Sequence, residues 1–239
     1  MNKAEVCALI REIGIIPAIR VSSAEQAHFA AESVTRGGIP IVEITMTVPG
    51  AVDLISHLVQ CHPKMMVGAG TVLDIGTARQ CIDAGAHFIT APGFDPGIVE
   101  FAVKQGVTVL PGALTPTEVL MAWRAGADFV KVFPCAPVGG PKYIKSLHAS
   151  LQQIPLIAGG GVNQQTALDF VLAGATAIGV GTDLIPAEAI ERRQANRIRE
   201  LALRFAGYVK EGRARLGPQK QSIAEQKFAA PENCDPRQS

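Results

Sequence analysis

Ala125-Gly126-Ala127-Asp128-Phe129-Val130-Lys131-Val132-Phe133-Pro134 holds the end of one structural element and the whole of the next. The glycine suits a helix C-terminus, where the backbone commonly turns left-handed. The apolar run behind it reads as a short strand buried on both faces. The same signature recurs at Ala84-Gly85-Ala86 and Ala173-Gly174-Ala175, and Gly37-Gly38 and Gln105-Gly106 stand in equivalent places. Gly85 to Gly106 is 21 residues, Gly106 to Gly126 is 20, and Gly126 to Gly174 is 48, or two units of 24. Working outward at this spacing, strands are predicted over 15–20, 39–45, 65–71, 88–92, 108–113, 129–134, 156–160 and 177–181. Helical patterns fill 24–36, 51–61, 75–84, 96–105, 116–125, 142–153 and 164–173. Such alternation argues for βαβ units and a parallel sheet. Eight units in 239 residues predict an α/β chain folded as a (β/α)₈ TIM barrel. An open doubly wound sheet is the alternative; against it, the first strand lacks a GxGxxG turn and no switch point is visible.

A single barrel domain is expected over 1–213, with an N-terminal helix and a long C-terminal helix patterned over 186–209. The polar, Gln- and Pro-rich segment 214–239 is expected to be a disordered tail. Met1-Asn2-Lys3-Ala4-Glu5-Val6 reads as a capped amphipathic helix start and not as a signal peptide. A net charge of +1 gives no electrostatic case for nucleic acid or a membrane surface. No apolar stretch approaches the roughly 18 residues that a transmembrane helix needs. The five cysteines are scattered without CxxC spacing, which suggests reduced thiols in a cytoplasmic protein. The histidines show neither HxH nor HExxH spacing, so no metal site is expected from them.

Two charges stand inside apolar strands. Lys131 lies in the quoted strand, whereas every other lysine falls in a helical, loop or tail segment. Glu43, in Ile39-Pro40-Ile41-Val42-Glu43-Ile44-Thr45, is the only carboxylate inside an apolar strand. Strand alternation puts Ile41, Glu43 and Thr45 on one face, and Phe129, Lys131 and Phe133 on one face of theirs. If both faces point into the barrel, the acid and the amine share one cavity. The plain reading is a structural salt bridge. The functional reading is an amine that attacks a carbonyl carbon, with a carboxylate moving protons beside it; burial disfavours the charged form of an amine, and the neutral form is the nucleophile.

Other features fall at predicted strand ends, where barrels keep their function. Gly159-Gly160-Gly161-Val162-Asn163 and Ile178-Gly179-Val180-Gly181-Thr182-Asp183 follow strands 7 and 8, whose loops often bind phosphate. Gly68-Ala69-Gly70-Thr71 places a hydroxyl at the rim, Ala91-Pro92-Gly93 ends strand 4, and Arg20 ends strand 1 as a candidate anion contact.

The ordered set Val42-Glu43-Ile44-Thr45, Gly68-Ala69-Gly70-Thr71-Val72, Lys131-Val132-Phe133-Pro134 and Gly160-Gly161-Val162 resembles the bacterial 2-keto-3-deoxy-6-phosphogluconate (KDPG) and 4-hydroxy-2-oxoglutarate (KHG) aldolases. The resemblance runs from about Ile10 to Ala187. It implies a (β/α)₈ barrel, a homotrimer, a small 2-keto acid as substrate, and no metal or cofactor. It implies Lys131 as the Schiff-base lysine and Glu43 as the general acid/base. Thr71 and Pro92 would line the pyruvyl pocket, with Phe133 packed against it. Gly160, Gly161, Gly181 and Thr182 would receive the phosphate. One departure stands out: many members carry an arginine four residues after the glutamate, where Thr47 stands here. A threonine offers one neutral donor in place of a charged bidentate fork, so either Arg20 takes over the anion contact or the preferred substrate differs. The extension past about Arg192 is unusual for so compact a family.

The activity so implied is a class I aldolase yielding pyruvate and an aldehyde, either glyceraldehyde 3-phosphate or glyoxylate. The alternatives are cleavage of the galactonate epimer, a sugar-phosphate isomerase or epimerase on the same fold, and a non-catalytic ligand-binding barrel with a structural Lys–Glu pair.

Overall fold

The computed structural model describes residues 1–217. The chain opens with α1 (Lys3–Ile13), capped as its sequence predicts: Asn2 and Glu5 form a reciprocal capping box, and Gly14 ends the helix left-handed. Strands and helices then alternate: β1 (Ile15–Ile19), α2 (Ala24–Arg36), β2 (Ile41–Thr45), α3 (Ala51–Cys61), β3 (Met66–Gly70), α4 (Ile75–Asp83), β4 (Phe88–Thr90) and α5 (Pro96–Lys104). The second half holds β5 (Thr108–Leu110), β6 (Gly112–Ala113), α6 (Pro116–Arg124), β7 (Val130–Val132), α7 (Pro141–Ser150), β8 (Leu156–Gly159), α8 (Ala167–Leu172), β9 (Ala177–Val180), α9 (Ala187–Glu191) and α10 (Ala195–Leu216).

All strand pairs are parallel, in the order β5-β4-β3-β2-β1-β9-β8-β7-β6. The two ends of that order, β5 and β6, are consecutive pieces of one predicted strand. The sheet therefore closes on itself as a barrel of eight staves. The strand expected over 108–113 is split because Pro111 has no N–H to give the ladder. Its carbonyl still accepts from the Lys131 N–H at 2.9 Å. On the other side, the Gly112 N–H donates to the Gly93 carbonyl at 3.2 Å. A Cβ at Gly112 would stand 2.1 Å from the Pro92 carbonyl oxygen, so only glycine fits this seam.

Three other expectations need correction. The helix expected over 164–173 begins only at Ala167, because Asn163 Oδ1 accepts from the backbone N–H groups of Gln165 and Thr166, both at 3.0 Å, and builds a turn first. The helix expected over 186–209 is two helices. The break at 192–194 is fixed by Arg193, whose backbone is left-handed at φ +51° and whose guanidinium pairs with Glu25 and stacks 5.2 Å from the Phe29 ring centroid. The last helix continues to Leu216, so residues 214–216 are helical; the rest of the expected tail lies outside the described residues.

α1 packs against β5 and β9, strands on opposite sides of the ring, so it spans the N-terminal mouth of the barrel. Lys3 Nζ meets Asp128 Oδ2 at 3.0 Å, and Val6 and Ile10 are buried beneath it. α10 lies across α2 and α8, and Arg213 reaches back to the carbonyls of Arg11, Glu12 and Thr176. With that mouth covered, the C-terminal ends of the strands form the open face.

His87, just before β4, gives the fold a pH dependence. Its Nδ1 lies 3.2 Å from both the backbone nitrogen and the carbonyl oxygen of Val67, and burial, outweighing that carbonyl, holds its imidazole below the usual value of 6.5. A histidine whose folded pKa is depressed contributes stability above its unfolded pKa. That contribution is lost as pH falls from about 6.5, because the unfolded chain takes up the proton first. The melting temperature should therefore decline on acidification through this window, and less steeply in His87→Gln. Parallel declines for the two chains would remove His87 as the cause.

Candidate active site

Glu43 and Lys131 meet at the open face. In β2, Glu43 sits in register between Ala18 of β1 and Gly68 of β3. In β7, Lys131 sits between Gly112 and Ile157. These strands lie on opposite sides of the ring, yet Lys131 Nζ stands 3.5 Å from Glu43 Oε2. The glutamate side chain is 4% exposed and the lysine side chain 13%. Strand parity thus turns both groups inward, and the ammonium head lies 5.5 Å from the Phe133 ring centroid.

Glycines make the room. A Cβ at Gly70 would lie 2.1 Å from Glu43 Oε1 and 2.5 Å from its Cγ and Cδ. A Cβ at Gly159 would lie 3.2 Å from Lys131 Cε. Gly70→Ala should force the carboxylate aside while the strand still pairs. A displacement on the order of 1 Å at a reacting group costs roughly 10²-fold in rate, and that fall in kcat is the expected result. An unchanged kcat would show that the carboxylate position does not matter.

The remaining predicted residues follow the strand ends around this pair. Arg20, after β1, donates to Thr71 Oγ1 at 3.4 Å. Thr71, after β3, holds a left-handed backbone at φ +59°, a conformation that costs about 1–3 kcal/mol for such a residue and clusters at functional sites. Pro92 follows β4, and its carbonyl abuts the Gly112 seam. Phe133 follows β7, its N–H donating to the Ala113 carbonyl at 3.1 Å. Gly181 and Thr182 follow β9.

Three predicted residues read differently in three dimensions. Thr45 Oγ1 donates to the Ile19 carbonyl at 3.0 Å and lies 2.7 Å from Thr47 Oγ1. With the Thr45 proton spent on that carbonyl, Thr47 is the donor of the second bond. Its hydroxyl proton therefore faces the protein. Gly160 and Gly161, at φ +80° and +89°, also have a packing reason: side chains there would collide with Pro134 and Ala136. The Gly160 carbonyl accepts from the Ala136 N–H at 3.0 Å.

Sequence reading overlooked two neighbours of the pair. Gly70 has a local signal, since Gly68 and Gly70 are alternate residues on the inward face of β3. Thr90 has none. It lies beside Gly70 across the β3–β4 ladder, which pairs Ala69 with Ile89, and its buried Oγ1 has no hydrogen-bond partner among the described residues. Cys135, four residues past Lys131, is not a rival nucleophile: burial pushes its thiol up to about 11.

With a buried amine and carboxylate in contact on a closed barrel, the chain can be set beside known proteins. The family described as KDPG and KHG aldolase matches residues 6–201. The chain belongs to this family. It is 30% identical over 207 residues to the 2-dehydro-3-deoxy-phosphogluconate aldolase of Pseudomonas aeruginosa, covering 85% of this chain and 94% of the relative. It is 31% identical over 172 residues to a probable 2-dehydro-3-deoxy-6-phosphogalactonate aldolase of Rhizobium meliloti, covering 71% and 81%. Among solved structures, a KDPG aldolase from Legionella pneumophila, with pyruvate captured as a covalent carbinolamine intermediate, superposes with a TM-score of 0.77 at 28% identity. That match covers 82% of this chain and 96% of the other. The aldolase is thus a (β/α)₈ barrel enzyme like its relatives.

Proposed function

We propose that this aldolase cleaves 2-keto-3-deoxy-6-phosphogluconate, 4-hydroxy-2-oxoglutarate or both through a Schiff base on Lys131. The contact of Lys131 Nζ with Glu43 Oε2 at 3.5 Å carries the reading. Glu43 accepts a proton from the Lys131 ammonium, and the freed amine adds to the C2 ketone. The carbinolamine loses water to give an iminium. Glu43, returned to the carboxylate by giving its proton to the departing carbinolamine hydroxyl, then removes the proton of the C4 hydroxyl, directly or through a water. The C3–C4 bond breaks, its electron pair enters the iminium to form an enamine, and the aldehyde leaves. Protonation at C3 and hydrolysis release pyruvate and restore the amine. The cationic iminium is the electron sink, so the reaction needs no metal or organic cofactor.

In this reading Thr71 and Pro92 line the pyruvyl pocket, Phe133 packs against it, and Arg20 reaches the substrate carboxylate beside Thr71. Thr47 completes that side as an acceptor. The backbone of Gly160, Gly161, Gly181 and Thr182 receives the phosphate. The enzyme works as a cytoplasmic homotrimer, and sedimentation of the purified chain reads the subunit count.

Borohydride reduction with pyruvate tests the chemistry. A pyruvyl adduct on the Lys131 peptide is expected; an adduct on another lysine, or none at saturating pyruvate, overturns the assignment. A second substrate reading is the C4 epimer, 2-keto-3-deoxy-6-phosphogalactonate. The Rhizobium meliloti relative and the neutral Thr47 favour keeping it. Pyruvate release from the two epimers and from KHG, compared as kcat/KM, separates the three.

A further inference from the structure

The outside of the barrel carries a second cluster of chemistry-bearing side chains, unused by the reaction. α2 presents His28 and Glu32 one turn apart, a spacing that aligns them on one helix face. α3 packs beside α2, and His62 caps its C-terminus. One ring nitrogen from each of His28 and His62 and one Glu32 oxygen lie within 4.8 Å of one another. All three residues are half-buried. The His28 ring centroid stands 5.6 Å from that of His62 and 5.5 Å from that of His57. His57 lies on the same face of α3 as Cys61, with Cys61 Sγ 3.7 Å from His57 Nδ1.

Helix packing brings these groups together across more than thirty residues of chain, which is why spacing motifs give no hint of them. Neither His28 nor His62 makes a hydrogen bond through its ring among the described residues. Glu32 has a competitor, Arg36 Nη2 at 3.4 Å, but that side chain is 69% exposed, so it holds the carboxylate weakly. Two imidazoles and a carboxylate are the donor set of a borderline divalent cation, and zinc takes such ligands at about 2.0–2.2 Å in tetrahedral array. Donors on one such ion stand roughly 3.4 Å apart, so side-chain rotation alone closes the cluster onto a metal.

We propose that His28, Glu32 and His62 form a binding site for one divalent transition-metal ion of the zinc class, with the fourth position taken by water or His57. The ion clasps α2 to α3, the two helices that flank β2 in the chain. The site lies apart from Lys131 and Glu43, and the proposal is independent of the substrate assignment.

The test is titration of the tag-free, metal-stripped full chain with Co²⁺ alone, followed by displacement with Zn²⁺. One Co²⁺ per chain is expected, with the strong visible absorption of a tetrahedral ion, bleached by Zn²⁺. Zn²⁺ should also raise the melting temperature. His28→Ala and His62→Gln should each weaken binding by more than the ~10–100-fold that loss of even an outer partner costs, while aldolase turnover confirms that both variants fold. Cys61→Ser should bind as the parent does. No saturable one-to-one binding would overturn the proposal, as would binding that survives both histidine substitutions. Loss of binding in Cys61→Ser with retention in His28→Ala would overturn the ligand set.

Discussion

Lys131→Met will lose turnover by several orders of magnitude and will give no pyruvyl adduct on borohydride reduction, while circular dichroism shows the barrel intact. Methionine fills the volume of the lysine stem, so the packing of β7 between β6 and β8 is kept. What it lacks is a nitrogen to form the iminium. Stability gives a second readout. Removing the amine leaves Glu43, 4% exposed, without its cation, and breaking a buried pair from one side costs up to about 3–5 kcal/mol. The double variant Lys131→Met/Glu43→Gln removes the stranded charge as well, so it should melt higher than Lys131→Met alone. Retained turnover in Lys131→Met would falsify the Schiff-base assignment whatever the melting curves show.

Glu43→Gln should lower kcat by about 10²–10⁴, the usual worth of a positioned acid or base, while the adduct on Lys131 still forms at saturating pyruvate, only more slowly because Glu43 no longer takes the ammonium proton. Glutamine keeps the shape and a hydrogen-bonding oxygen against Gly70 but cannot take the C4 hydroxyl proton. Slow cleavage with preserved trapping is therefore the signature of a proton carrier. A rate near that of the parent chain would reduce Glu43 to a structural partner of the lysine and move the proton to another group. The orphaned hydroxyl of Thr90 is the first place to look in that event.

The two substitutions also separate the readings that the residues alone leave open. A non-catalytic binding barrel predicts no turnover to lose. An isomerase on the same fold predicts proton exchange without an imine. Both would pass through Lys131→Met without any change in trapping, because neither forms the adduct.

Local chemistry wrote the barrel and its two charged residues into the sequence. Helix caps with glycine, apolar runs and a unit of 20–24 residues are properties of contiguous chain, and they favour an eight-unit α/β ring over an open sheet. The period of two along a strand likewise fixes that Glu43 and Lys131 point the same way as their apolar neighbours. Tertiary structure alone decided what lies across the ring or between helices. The 3.5 Å approach of two groups 88 residues apart, the Gly112 seam against Pro92 and the bond from Thr47 to Thr45 to the Ile19 carbonyl depend on register and stagger between strands. No local pattern encodes those. The break before α10 is set by Arg193 reaching Glu25 and Phe29, and the meeting of His28, Glu32 and His62 is set by how α3 lies on α2. In each case the deciding energy is a contact between residues far apart in the chain, which exists only once the barrel has closed.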